Sequence, residues 1–115
     1  LGALVSPNAF IASNGFSGPR SSFKHERNYR TFPKFLEIIK ENNLMPFEKA
    51  VAKITSAPAQ KYRLQKRGLI KEGYWADIAV WRDNKPWFVF VNGGVAIKEE
   101  KPQNLRTGKI LKFEE

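Results

Sequence analysis

The sequence predicts an α+β fragment: a short strand and a long loop, then helices, then a small β unit, together forming part of something larger. Three observations carry this. Apolar residues recur at helical spacing through the first half, with Phe32, Phe35, Leu36 and Ile39 at i, i+3, i+4 and i+7 and Phe47, Ala50, Val51 and Ile54 repeating the pattern. The second half holds apolar runs of strand length, Ala76 to Trp81 and Trp87 to Val91, followed by the hairpin signal Asn92-Gly93-Gly94. Finally, the helical stripes and the all-apolar 87–91 run ask for more covering surface than 115 residues provide.

In order along the chain, residues 9–13 (Ala-Phe-Ile-Ala-Ser) form an apolar run of strand length, closed by the turn signal Asn14-Gly15. The stretch from Phe16 to Arg30 is rich in Gly, Ser, Pro and basic residues and reads as a long loop, a setting that favours function. Thr31 is the expected N-cap of a first helix, with Pro33 in its first turn, where a missing N–H costs nothing, and Asn42-Asn43 at its end. A second helix is expected from about Pro46 to Ile54. A third should open at Ser56, with Pro58 in its first turn, and reach about Leu64. From Gly68 the character changes to strands and turns, with a return strand at Val95 to Lys98 and a last one at Ile110 to Phe113. The expected division is residues 1–66 for the strand, loop and helices and 67–115 for the β unit.

Composition narrows the chemistry. There is no cysteine, which removes disulfides, thiolate nucleophiles and thiolate metal sites and fits a reducing cytoplasm. His25 is the only histidine, and the eleven acids are scattered, so no metal-ligand spacing and no nucleophile elbow can be read. No apolar run approaches the roughly 20 residues that span a bilayer. The chain starts without Met and reads as a trimmed, processed or partial product. The formal net charge of +9 admits a nucleic-acid partner, with Lys61, Arg63, Lys66, Arg67 and Lys71 as a basic run and Trp75, Trp81 and Trp87 as possible stacking rings. The plainer reading, which we prefer, is a solvated basic surface around a helix end and tryptophans in a strand core.

One segment is more distinctive. Gly68-Leu69-Ile70-Lys71-Glu72-Gly73-Tyr74-Trp75-Ala76-Asp77-Ile78 places glycines that permit positive φ on either side of a short strand. Asp77, at the start of an apolar strand, should hydrogen-bond to nearby backbone, because an unpaired carboxylate there is costly. This segment, followed by Val89-Phe90-Val91-Asn92-Gly93-Gly94-Val95 and preceded by Thr55-Ser56-Ala57-Pro58-Ala59, resembles the C-terminal β-sandwich region of the metal-dependent amidohydrolase superfamily. His25-Glu26-Arg27-Asn28-Tyr29-Arg30-Thr31-Phe32-Pro33-Lys34 resembles the His-Pro-Arg-x-x-Gly-Thr-Phe-Pro-Arg motif of N-acyl-D-amino-acid deacylases, the D-aminoacylases.

The resemblance, over about residues 9–112, implies the last strand and closing helices of a (β/α)8 barrel plus the C-terminal part of a small β-sandwich domain. It implies zinc in a full-length member, bound by histidines that this chain does not supply, and a small N-acyl amino acid as substrate of the whole. The missing N-terminal barrel portion is the partner this implies; separately, a second copy of this chain in a homo-oligomer would cover its exposed apolar faces, and neither a membrane nor nucleic acid is the expected partner. At the position of the family's catalytic Asp stands Asn14, within Ser13-Asn14-Gly15. Asn cannot accept a proton at neutral pH. Arg27 matches the arginine that anchors the substrate carboxylate, a task suited to a guanidinium. His25 is expected to order the loop on the substrate side. Glu26 in place of Pro and Arg30 in place of Gly depart from the motif, as does a connection between Trp81 and Trp87 shorter than the family's.

Overall fold

The computed structural model describes residues 2–15 and 25–112. Residues 16–24 of the expected loop and Phe113 of the expected last strand lie outside them. The chain divides into two compact units, residues 1–54 and 55–115.

The first unit is helical. A short helix, α1 (Gly2–Val5), precedes the irregular segment 6–15. A 3₁₀ turn, Glu26–Asn28, leads into α2 (Thr31–Glu41), and α3 (Phe47–Ile54) follows. Arg30 rather than Thr31 is the residue before α2, and the Thr31 hydroxyl donates backwards to Arg27 O at 2.8 Å. Asn42 closes α2, its Nδ2 donating to Ile38 O at 2.9 Å. The apolar stripe does what its spacing predicts: Phe35 (3% exposed), Ile39 (1%) and Ala50 (0%) form the core, flanked by Leu4, Ile11, Leu36, Leu44, Met45 and Ile54. The same stripe carries a charged residue. Lys53 is buried, and its ammonium donates to Ala9 O at 2.7 Å and to Ser6 O. Its stem lies along the core while its head finds backbone carbonyls instead of water. That bond ties the 6–9 segment to α3.

A further sequence expectation fails here. Residues 9–13 are not a strand; they form no regular structure. A strand exists only as part of a ladder, and among the described residues of this unit no strand offers itself for pairing.

The second unit begins with α4 (Ser56–Lys61), entered from Thr55 rather than from a Ser56 cap. It continues into a four-stranded antiparallel sheet in the order β1 (Ile78–Arg82), β2 (Lys85–Val91), β3 (Gly94–Lys98) and β4 (Lys101–Pro102). Each connection is a two-residue hairpin turn with positive φ at both positions: Asp83 (49°) and Asn84 (60°), Asn92 (48°) and Gly93 (83°), Glu99 (51°) and Glu100 (64°). Turns of this hand match the twist of the strands they join. The apolar β2 run sits at the centre of the sheet, paired on both edges, with register shifts at Val80/Trp81 and Val89/Phe90. The last expected strand is corrected as well: Ile110–Lys112 is irregular, and Ile110 is 94% exposed. The strand that completes the sheet is the two-residue β4, held additionally by Gln103 N–H donating to Ala96 O at 2.8 Å.

Candidate functional site

The sequence nominates Asn14, His25 and Arg27, and all three are exposed. Their positions follow from local chemistry. His25 precedes the 3₁₀ turn, and its Nδ1 accepts the Arg27 backbone N–H at 3.2 Å, so the imidazole caps that turn. Further backbone bonds, Asn28 N–H to His25 O at 3.0 Å and Arg30 N–H to Glu26 O at 2.7 Å, complete it. His25 therefore orders the segment that presents Arg27. Around it run ion pairs: Arg30 with Glu37 at 3.0 Å, and Lys34 with Glu26. The hydrogen bond from Lys34, with the positive charges of Lys34 and Arg30, holds the Glu26 carboxyl below its ordinary value. Glu26 is thus part of what braces this turn against the start of α2.

Asn14 lies towards the far end of the irregular segment 6–15, which Lys53 anchors near its start. Its neighbour Gly15 runs beside Asn28, close enough that a Cβ on Gly15 would lie 3.6 Å from Asn28 Oδ1. The segment ending in Asn14 and the turn carrying Arg27 are therefore adjacent. The Asn28 amide is left unpaired in this arrangement: Oδ1 and Nδ2 are both buried, and among the described residues neither has a hydrogen-bond partner. Sequence reasoning passed over Asn28 and Lys53. A lysine on an amphipathic helix ordinarily reads as solvated, and only the position of the 6–9 carbonyls reveals the exception.

In the second unit, the distinctive glycine-flanked segment is a clasp. Asp77 Oδ1 accepts the Asn92 backbone N–H at 2.8 Å, and its Oδ2 accepts from Arg67 Nη1. Arg67 Nη2 reaches Asn92 Oδ1 at 2.7 Å, and Asn92 Nδ2 donates to Thr107 O at 2.6 Å. The Thr107 hydroxyl donates to Val91 O at 2.5 Å, and Gly93 N–H to Ala76 O at 3.0 Å. The β2–β3 turn is thus bound from all sides, and Asp77 serves structure, as its position at a strand start predicts. Gly68 is needed where it stands: its φ is +82°, and a Cβ there would sit 2.6 Å from Ala59 Cβ and 2.9 Å from Thr55 O.

The basic run is divided by the fold. Arg67 is committed to the clasp, and Lys71 lies over Tyr74, 5.6 Å from its centroid. Arg63 and Arg67 join Trp75, Lys109 and Lys112 around an open cleft of about 380 Å³. Arg67 and Lys109 lie 5.2 and 4.8 Å from the Trp75 ring centroid. The contribution of Lys109 and Lys112 was invisible in sequence, since they lie some forty residues beyond the run.

A metal centre does not fit the donors present. His25 is the sole histidine, no cysteine exists, and among the described residues no three His, Cys, Asp or Glu side chains come together. Among the described residues, no helix is long and apolar enough to cross a membrane.

Comparison with known proteins agrees with the motifs. The profile of the Amidohydrolase family matches residues 16–92. The N-acyl-D-glutamate deacylase of Alcaligenes xylosoxydans xylosoxydans is 31% identical over 119 residues, covering 89% of this chain and 24% of the relative. The N-acyl-D-aspartate deacylase of the same organism is 33% identical over 76 residues, covering 65% of this chain and 15% of the relative. Its D-aminoacylase is 36% identical over 72 residues, covering 62% and 14%. The chain thus spans about a quarter or less of the length of these curated relatives. No solved structure matches it significantly. With two thirds of its residues inside the family profile and the same family's motifs in order along it, the chain belongs to the Amidohydrolase family.

Proposed function

We propose that this chain is the C-terminal part of a D-aminoacylase-like deacylase. Residues 1–66 would be the end of a (β/α)8 barrel and 67–115 the C-terminal share of a small β-sandwich domain. The observation that carries the reading is the alignment of nearly the whole chain with a small part of an N-acyl-D-glutamate deacylase. The whole protein would cleave the C–N amide bond of N-acyl-D-amino acids in the cytoplasm, using zinc held by donors outside this chain. The contribution of this chain is on the substrate side. Arg27, presented on a turn capped by His25, would pair its planar guanidinium with the substrate carboxylate. Asn14 stands where the family's proton acceptor is expected and cannot do that work. The chain alone should therefore be inactive, and its apolar faces would be covered by the rest of the barrel or by a second copy of itself.

The test is release of free carboxylic acid from N-acetyl-D-glutamate, N-acetyl-D-aspartate and N-acetyl-D-leucine by the purified chain with added zinc. None is expected, and sustained turnover abolished by Arg27→Ala would overturn the inactivity while supporting the family's chemistry.

A second reading has one observation in its favour. The cleft lined by Arg63, Lys109 and Lys112 beside Trp75 is the kind of surface that grips a polyanion such as nucleic acid. Oligonucleotide binding that weakens steeply with salt would support it; no binding at low salt would remove it.

A further inference from the structure

The chain contains two Asn-Gly pairs, Asn14-Gly15 and Asn92-Gly93, and the structure places them in opposite circumstances. In such a pair the backbone nitrogen of the glycine can attack the asparagine side chain, because glycine leaves that nitrogen sterically open. We propose that Asn14 is a spontaneous deamidation site and that Asn92 is protected from the same reaction by the fold.

The Gly15 amide nitrogen loses its proton to solvent and bonds to Asn14 Cγ. The Cγ–Nδ2 bond breaks, and ammonia leaves with the protons that balance it. The resulting five-membered succinimide is opened by one water molecule at either carbonyl, giving aspartate or isoaspartate. The net change is amide plus water to carboxylic acid plus ammonia, and the formal charge of +9 falls by one unit.

Three features make this reaction accessible at Asn14. Asn14 and Gly15 are both exposed and lie in a segment without regular structure. Among the described residues, neither the Asn14 side chain nor the Gly15 N–H makes a hydrogen bond. The nearest described atom to a Cβ on Gly15 is at 3.6 Å, an ordinary contact, so Gly15 is not gripped. At the second pair each reacting group is held. Asn92 Oδ1 accepts from Arg67 at 2.7 Å, and its Nδ2 donates to Thr107 O at 2.6 Å. Gly93 N–H, which must be deprotonated, donates to Ala76 O at 3.0 Å, and the turn itself fixes φ at 48° and 83°. Reaction there requires the clasp to open first.

The new carboxylate at Asn14 would stand where the deacylase resemblance expects one. That consequence rests on the proposed function; the modification does not, and its readout is independent of catalysis. The folded chain is aged at mildly alkaline pH, digested and analysed by peptide mass, with isoaspartate detected by chromatographic splitting of the peptide. The Asn14 peptide should convert to acid on the order of 10-fold or more faster than the Asn92 peptide, because the latter waits on local opening. In denaturant the two should converge. Gly15→Ala, whose Cβ has room, should slow the first site severalfold without disturbing helical content. Equal rates in the folded chain, or faster conversion at Asn92, would overturn the proposal.

Discussion

The helical unit and the β unit are held together by different means. The helical unit rests on an apolar core of Phe35, Ile39 and Ala50, with Lys53 tying the irregular 6–9 segment to it through two carbonyls. The β unit buries little: β2 is only partly buried, and the described residues contain one fully apolar buried residue here, Ala59. Its order comes from hairpin turns and from the Arg67–Asp77–Asn92–Thr107 clasp. The family motifs divide along the same line. Those in the β unit (Gly68, Asp77, Asn92, Gly93) do structural work, whereas His25 and Arg27 lie exposed on a locally braced turn and Asn14 on an exposed, irregular segment. Residues that carry a family resemblance therefore differ in how firmly the fold holds them, and burial and bonding tell the two kinds apart.

This contrast can be broken from either side. The largest effect is expected for Phe35→Ala, which empties the centre of the helical core and should cost about 3–5 kcal/mol, read as loss of helical ellipticity in a denaturant titration. Next is Asp77→Ala. It leaves the Arg67 guanidinium, whose side chain is 10% exposed, without its anionic partner, and frees the Asn92 N–H. A loss of about 3 kcal/mol should follow, reported by fluorescence, since Trp75, Trp81 and Trp87 all lie in this unit. If Asp77→Ala were neutral while Phe35→Ala was not, the β unit would be held by apolar packing after all.

The smallest effect concerns the brace beneath Arg27. The Lys34 hydrogen bond lowers the Glu26 pKa, so the carboxylate form is favoured in the folded chain. Its stabilising contribution is present above the ordinary glutamate pKa and is lost as pH falls through the depressed one. In an NMR titration Glu26 should report a midpoint below the usual glutamate range, and Lys34→Gln should raise it. An unshifted midpoint in the parent chain would remove the brace.

Much of this was legible in sequence where the determinants are local. The stripe of α2 and α3 needs only side chains a turn apart, and Asn92-Gly93 specifies its hairpin within two residues. Asp77 was legible as a backbone acceptor because a carboxylate opening an apolar strand has few alternatives. What failed depends on partners distant in the chain. Residues 9–13 have strand composition but no ladder among the described residues, and β4 follows a Glu99-Glu100 turn that no turn-forming residue announces. Of the candidate site, the turn that His25 caps was not read from the sequence, which offered only a long loop there. The anchoring of the Asn14 segment by Lys53 could not be read either, because it joins residues more than forty positions apart.

The contrast between a locked β motif and an open site segment is tested most directly by native-state hydrogen exchange. The Asn92 and Gly93 amides, donating to Asp77 Oδ1 and Ala76 O, should be among the slowest of the β unit. Amides of residues 10–15 should exchange close to the rate of an unstructured peptide. Rapid exchange at Asn92 and Gly93 together with protection across residues 10–15 would contradict the account.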